Sequence, residues 1–482
     1  MLLRMPRRPV VALALLSLLV ACSSSSTNSP APADAATDAP ASCPTPPTPT
    51  VAATPETATL ATDSAHCGVP AFRWRTGPDL GDVKTKGLHD HVDVSANQVL
   101  LAAGGVKATG SEVHSVDLDQ IAYVTQDRGA SIEATALVAY PSDDARKTAY
   151  DVLLVLHGTA GFNDACAPSS TASARPLAAA LASLGYVVVA PDYIGLRGLD
   201  GPTGFLHPYL VGQTTGIASL DAVRAASKLL ARGDATSCAA PRFLTLGGSQ
   251  GGHAALWVDR LAPYYAQELE HVGVVATVPP ADLLAEGVRA LRSTVPATAN
   301  MAAFYGAASD WYGVRARLSE VFVAPLDVKV PTDLAASCDP GSDFKGADRT
   351  KVFTPALLDA AATDGGLRAL SPWGCMLAEN GLTTTSVKRI APTRAGYGVL
   401  FVLGEADTLV DPATERAGFD ALCAQGMQLQ YLECAGATHT KATAWALPEI
   451  VDFLRDRFAG KPTDPAMACK RGTATRCRGT PM

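Results

Sequence analysis

The sequence predicts an α/β fold: a mostly parallel eight-stranded sheet with helices on both faces and an inserted cap subdomain. Three observations carry this expectation. Over 151–278, continuous apolar runs of strand length alternate with helix-length segments, the pattern of parallel strands buried on both faces. The alternation then stops at 281 and resumes only near 396, an interruption too long for a loop. Finally, Leu244-Thr-Leu-Gly-Gly-Ser-Gln-Gly-Gly252 reads as a buried strand end, a tight turn bearing a serine, and the start of a helix.

Taken in order, the chain begins with a leader at 1–21. Arg4, Arg7 and Arg8 precede an apolar run too short to span a bilayer, which ends in Leu19-Val-Ala-Cys22. That ending resembles the lipobox of bacterial lipoproteins, which are cleaved before the cysteine. Cys22 is therefore expected to be the acylated first residue, anchoring the protein in the bacterial cell envelope. Ser23, rather than Asp, follows it, which by the same analogy favours the outer membrane. Residues 22–66 are dominated by Ser, Thr, Pro and Ala and read as a disordered tether, because such a segment cannot bury enough apolar surface to offset its ordering entropy. Residues 67–110 read as an irregular extension packed on the domain.

The core is expected over 111–280 and 396–482. Strands fall at 112–125 and 131–140, joined by the turn signal Gln126-Asp-Arg-Gly129, then at 151–156, 186–190, 242–246 and 272–278. Helices fall at 172–184, 216–231 and just after the serine turn. The cap occupies 281–395, with helical pieces at 281–291, 299–312 and 355–362. Strands at 398–403 and 427–432 and helices at 412–424 and 443–458 complete the core. The tail from 460 carries Cys469 and Cys477 and is expected to be stapled to the domain.

Composition excludes some classes of function. Loss of the leader takes the formal charge from −7 to −10, and no basic stripe follows beyond a short C-terminal run, so nucleic-acid binding is not expected. Ten cysteines remain after Cys22, an even number in an exported chain, which makes disulfides the default over metal ligation. A Cys423–Cys434 pair is disfavoured, since the strand between them would hold their Cα atoms roughly 20 Å apart. No Cys-x-x-Cys or His-Glu-x-x-His occurs, and neither a metal nor an organic cofactor is implied.

The serine turn is where chemistry is expected. A serine hydroxyl needs a base to take its proton and an acid to fix that base's tautomer. In this architecture the chain order is Ser, acid, His. After Ser249 only His253, His271 and His439 remain. His253 points away along the turn's own helix and His271 enters a strand from its far end, leaving His439 in the loop after the last strand. The acid belongs in Gly404-Glu-Ala-Asp-Thr-Leu-Val-Asp411, where Asp407 fits best, with Glu405 and Asp411 as alternatives. Asp411, before Pro412, reads better as a helix N-cap. An oxyanion hole needs fixed N–H donors: Gln250 at the helix start and, from the loop His157-Gly-Thr-Ala-Gly161, Thr159, with Gly158 next in line. His157 is assigned a structural role shaping that loop.

Several motifs together carry a resemblance. His157-Gly-Thr-Ala-Gly161, Asp164-Ala-Cys-Ala-Pro-Ser169, Pro191-Asp-Tyr-Ile-Gly195, Gly247-Gly-Ser-Gln-Gly-Gly252 and Val278-Pro-Pro-Ala-Asp282, in this order, resemble the secretory lipase branch of the α/β-hydrolase superfamily, similar to the yeast lipase A group. The resemblance implies ester hydrolysis, a cap after the sixth core strand, and Thr159 at the oxyanion position. Those lipases are freely secreted, whereas this chain carries a lipobox. The expected function is a serine carboxylic-ester hydrolase, an esterase or lipase acting on an ester or lipid small molecule, with Ser249, His439 and Asp407 as its triad. A peptidase or acyltransferase uses the same groups, and a non-catalytic surface binding module is the rival from another class. The cap is expected to build the acyl pocket, Phe304 and Trp311 among its walls.

Overall fold

The computed structural model describes residues 43–52, 65–108, 112–142, 148–232, 235, 237–339, 344–384 and 386–481. The leader, Cys22 and the first half of the expected tether lie outside the described residues. Strands β1 (Val83–Val92), β2 (Val116–Asp127) and β3 (Ala130–Pro141) pair antiparallel. Strands β4 (Ala149–Leu156), β5 (Val187–Pro191), β6 (Cys238–Gly248), β7 (Glu270–Thr277), β8 (Gly398–Gly404) and β9 (Leu429–Cys434) are parallel to their neighbours, and β3 joins this group antiparallel to β5. The sheet order is β1-β2-β3-β5-β4-β6-β7-β8-β9, nine strands where eight were expected.

The additional strand is β1, inside the extension expected to be irregular. Its sequence, Val83-Lys-Thr-Lys-Gly-Leu-His-Asp-His-Val92, leaves most side chains in solvent, so it has no apolar period to announce it. Polar cross-strand pairs hold it instead: His89 Nδ1 lies 2.9 Å from Asp119 Oδ1 and His91 Nδ1 lies 2.6 Å from Asp117 Oδ1 on β2. The helix α1 (Val94–Ala103) then leads into β2.

The parallel strands feed alternate faces, as period two requires. On one face, Val152, Leu154, Val274, Ala276 and Phe401 pack against α3 (Gly212–Leu230) and α4 (Gln250–Tyr265), with α12 (Pro412–Ala424) beside them. On the other, Leu153, Val275, Leu400 and Val402 pack against α2 (Arg175–Ala182), α13 (His439–Trp445) and α14 (Leu447–Phe458). The single helix expected at 443–458 is thus two, starting earlier and parted at Ala446, ahead of Pro448 in the first turn of α14.

The insert between β7 and β8 carries α5 (Leu283–Arg292), α6 (Ala297–Trp311), α7 (Leu326–Ala336), α8 (Arg349–Val352), α9 (Pro355–Ala362), α10 (Gly366–Ala369) and α11 (Trp373–Asn380). Phe304, Tyr305, Phe322, Phe353 and Trp373 form a second hydrophobic cluster there, each at most 1% exposed.

Five disulfides brace this arrangement. Cys166–Cys338 fastens the insert to the core and Cys67–Cys375 fastens it to the N-terminal extension, while Cys423–Cys469 and Cys434–Cys477 clamp the C-terminal tail, neither involving a Cys423–Cys434 pair. Cys43–Cys238 corrects the tether: residues 43–52, in the stretch read as disordered, lie against the domain. Ala52 N–H donates to Tyr264 O at 2.9 Å and Gln267 N–H to Thr50 O at 3.2 Å. Composition misled here because a disulfide and backbone hydrogen bonds can dock a chain that has little apolar surface of its own.

Candidate active site

The turn after β6 puts Ser249 at φ 58° and ψ −122°, a conformation costly for a residue with a Cβ. Its neighbours hold it there. Ser249 N–H donates to Thr277 O on β7 at 2.9 Å, and Ser249 O accepts from His253 N–H at 3.0 Å. The flanking glycines are sterically required: a Cβ on Gly247 would stand 1.9 Å from Gly251 O, and one on Gly251 would stand 2.0 Å from Leu156 O. Strand, turn and helix therefore pass too closely for any side chain at these two positions.

His439 begins α13, in the loop that follows β9, and its ring reaches back over the sheet edge. Ser249 Oγ donates to His439 Nε2 at 2.8 Å, and His439 Nδ1–H donates to Asp407 Oδ2 at 2.7 Å. Asp407, 6% exposed, is itself held by its turn, Oδ1 accepting from Leu409 N–H at 2.8 Å and Val410 N–H at 3.1 Å. The two alternatives are occupied elsewhere. Glu405 Oε2 accepts from Gly436 N–H at 2.9 Å, pinning the histidine loop, and Asp411 caps α12 by accepting from Thr414 N–H at 2.8 Å.

The other histidines are engaged in the framework. His253 Nε2–H donates to Asn380 O at 2.8 Å and His271 Nε2 lies 3.1 Å from Thr245 Oγ1; burial pushes both rings down to about 4. His157 Nδ1–H donates to Gly158 O at 2.6 Å, and the ring stacks on Tyr193 with centroids 4.1 Å apart. Its loop abuts the serine: a Cβ on Gly158 would lie 3.6 Å from Ser249 Cβ. Thr159 follows, its Oγ1 2.9 Å from Tyr209 Oη. Gln250 opens α4, where the first N–H groups have no intrahelical acceptor. Its side-chain Nε2 donates to His207 Nε2 at 2.6 Å, while His207 Nδ1–H donates to Ile194 O at 2.8 Å; burial pushes this ring down to about 3, so it stays neutral.

Above Ser249 lies a pocket walled mainly by apolar side chains including Leu283, Met301, Phe304, Leu377 and Val410. Phe304 is in its wall as expected, but Trp311 is not. The indole N–H of Trp311 donates to Asp127 Oδ1 at 2.8 Å and Arg128 lies 4.9 Å over the ring, so this residue docks α6 onto the β2–β3 hairpin. Spacing along α6 could not reveal which aromatic faces the serine.

Sequence reasoning also missed polar groups that the insert supplies. Asn300 Nδ2 donates to Tyr209 Oη at 3.0 Å. Glu286 Oε1 accepts from Asp411 N–H at 2.7 Å, and Arg289 Nη2 donates to Leu409 O at 2.5 Å, so α5 grips the turn that holds Asp407. No motif places these residues, because their partners are distant in sequence. Among the described residues, no group of three or more His, Cys, Asp or Glu side chains could hold a metal ion.

Comparisons with known proteins place this geometry in a family. The model of the secretory lipase family matches residues 169–465. A secreted triacylglycerol lipase of Malassezia globosa is 29% identical over 325 residues, 62% of each chain. A probable inactive lipase of Mycobacterium tuberculosis is 29% identical over 293 residues, 59% of this chain and 58% of its own. The chain thus spans under two thirds of the length of these curated relatives. The closed-state X-ray structure of Candida antarctica lipase A superposes with a TM-score of 0.58 at 15% identity, covering 82% of this chain and 85% of that one, a likeness of fold. On these grounds the chain belongs to the secretory lipase family, within the α/β-hydrolase fold.

Proposed function

We propose that the protein is a serine carboxylic-ester hydrolase, an esterase or lipase working through an acyl-enzyme. The observation that carries this reading is the hydrogen-bond chain Ser249–His439–Asp407, at 2.8 and 2.7 Å, at the foot of an apolar pocket. In the proposed reaction His439 Nε2 takes the Ser249 proton as Oγ attacks the ester carbonyl, and returns it to the leaving alkoxide. Asp407 holds the ring with Nδ1 protonated and stabilises the imidazolium. The N–H groups of Gln250 and Thr159 receive the oxyanion. Water, activated by the same histidine, then releases the acid. The insert acts as a cap whose apolar wall takes the acyl chain.

A fluorophosphonate probe should label the protein stoichiometrically, and Ser249→Ala should abolish both labelling and hydrolysis of nitrophenyl esters. Labelling that survives the substitution rules the mechanism out. Rates on nitrophenyl esters from acetate to palmitate separate esterase from lipase, and parallel assays with peptide anilides and alcohol acceptors test a peptidase or acyltransferase. A non-catalytic binding module would leave the probe unreacted. The intact hydrogen-bond chain favours catalysis over that reading, although one relative is described as a probable inactive lipase.

We further propose that the chain is exported, as the Malassezia relative's description as secreted and the five disulfides both suggest. Anchoring by acylation of Cys22 rests on the leader and lipobox alone. Cys22→Ala should release the protein from the membrane fraction or leave it uncleaved; a wild-type protein recovered soluble and unacylated would refute the anchor.

A further inference from the structure

The order of protons around Tyr209 assigns a role to a side chain that the proposed mechanism uses only through its backbone. A phenol or alcohol has one proton to give and two lone pairs to receive with, whereas an amide nitrogen only donates. Asn300 Nδ2 lies 3.0 Å from Tyr209 Oη, so at this contact the tyrosine oxygen accepts. Its single proton is then free for its other neighbour, Thr159 Oγ1 at 2.9 Å. Either oxygen of this pair could donate; with Tyr209 as the donor, Thr159 Oγ1 accepts that proton and keeps its own unused. Among the described residues, Tyr209 is the hydrogen-bond partner that this hydroxyl has.

Gly158, the preceding residue, is packed against Ser249, and Tyr209 and Asn300 wall the same pocket as Ser249 and Gln250. We propose that the Thr159 hydroxyl is a third oxyanion donor, its proton directed at the substrate's carbonyl oxygen by the chain Asn300 to Tyr209 to Thr159. This rests on the serine-hydrolase reading given above. Thr159 touches the reacting oxygen and is a catalytic residue; Tyr209 and Asn300 are positioning residues that act through it.

The phenol at the centre of the chain stays protonated across a wide range of pH. Tyr209 is 3% exposed, its ring meets Phe162 edge to face with centroids 5.2 Å apart, and burial raises its phenol above the ordinary value, so it remains a donor. Asn300 lies on α6, so the first donor comes from the insert while the last acts in the core. The opposite amide orientation of Asn300 would reverse every bond in the chain and leave Thr159 without a proton to give.

Charge on the carbonyl oxygen develops only toward the tetrahedral intermediate, so the hydroxyl should act on kcat more than on KM. With nitrophenyl butyrate as substrate, Thr159→Val, which keeps shape and removes the hydroxyl, should lower kcat by about 100-fold, the lower range for losing one oxyanion donor, with KM little changed. Thr159→Ser should recover most of that loss. Tyr209→Phe should lower kcat by roughly tenfold, the equivalent of one ordinary hydrogen bond. The double variant Thr159→Val, Tyr209→Phe should fall no further than Thr159→Val alone, because the tyrosine acts through the threonine. If Thr159→Val does not fold, Thr159→Ala takes its place in the same series. A Thr159→Val enzyme with wild-type kcat, or losses that multiply in the double variant, overturns the proposal. Ser249→Ala keeps the two ideas apart: if it retains activity, the serine mechanism has failed, whereas an inactive Ser249→Ala beside an unimpaired Thr159→Val defeats the hydroxyl donor alone.

Discussion

Asp407 and Asp411 stand four residues apart and make different bonds, so one substitution at each separates orientation from capping. Asp407→Asn keeps the shape of the turn but favours the wrong imidazole tautomer, and turnover should fall by up to about 10⁴-fold, as in serine proteases. Asp411→Asn should leave turnover near wild type and cost a few tenths of a kcal/mol, since Asn caps about as well as Asp. Steady-state kinetics and thermal unfolding of the two variants check this. A third aspartate, Asp192, is fully buried and is pushed up to about 7 from an ordinary 3.8 by burial, against the pull of hydrogen bonds from Ser169 and Thr135. The folded chain therefore binds this proton more tightly than the unfolded one. Asp192's contribution to stability declines as pH rises through the window between 3.8 and about 7, by at most about 1.4 kcal/mol per pH unit. Asp192→Asn cannot titrate, so its stability relative to wild type should climb over that window and then level off in denaturant unfolding from pH 4 to 8; a constant difference would contradict the assignment. At this scale the sequence was informative where chain order constrains chemistry. Ser249, Asp407 and His439 follow from a strand end, a turn and a loop in fixed succession, whereas Tyr209 and Asn300 meet Thr159 from a loop and an inserted helix with no spacing to link them.

Among the elements, the buried parallel strands were legible because both faces of each must be apolar. The edge strand β1 was not, since its residues are mostly exposed and its register is kept by histidine–aspartate pairs. Helix α6 was foreseen within two residues of its start, yet which of its aromatic residues lines the pocket over Ser249 depends on how the insert seats on the core. The seating gives a contrast to measure. Phe304→Ala should enlarge the pocket and shift preference toward longer or bulkier acyl chains more than it lowers the rate on acetate esters. Trp311→Ala removes the contact with Asp127 and the packing under Arg128, so it should lower the melting temperature and leave chain-length preference unchanged. A preference shifted equally by both would mean that the pocket wall extends beyond its present lining. Helix α5 works on the other side of the site: Glu286 and Arg289 bind the backbone at Asp411 and Leu409, so displacement of that helix would disturb the turn that carries Asp407.

Across the whole molecule, the disulfides join parts that are far apart in the chain, and their order has a consequence for how the protein is made. The ten cysteines from Cys43 onward pair as 43 with 238, 67 with 375, 166 with 338, 423 with 469 and 434 with 477. No two cysteines that follow one another in the sequence are partners. An oxidase acting on the chain as it emerges from a translocation channel would join Cys43 to Cys67, and Cys166 to Cys238, each time making a link the native state lacks. Those links must be opened by a thiolate and re-formed elsewhere, a slow exchange without a catalyst. The yield of active protein in an oxidising host should therefore rise sharply when a disulfide isomerase is supplied alongside the oxidase, and should stay low with the oxidase alone. An equal yield under both conditions would mean that the chain folds before it is oxidised. Otherwise the native pairing depends on disulfide exchange, and a cell without an isomerase would accumulate the polypeptide with mispaired cysteines.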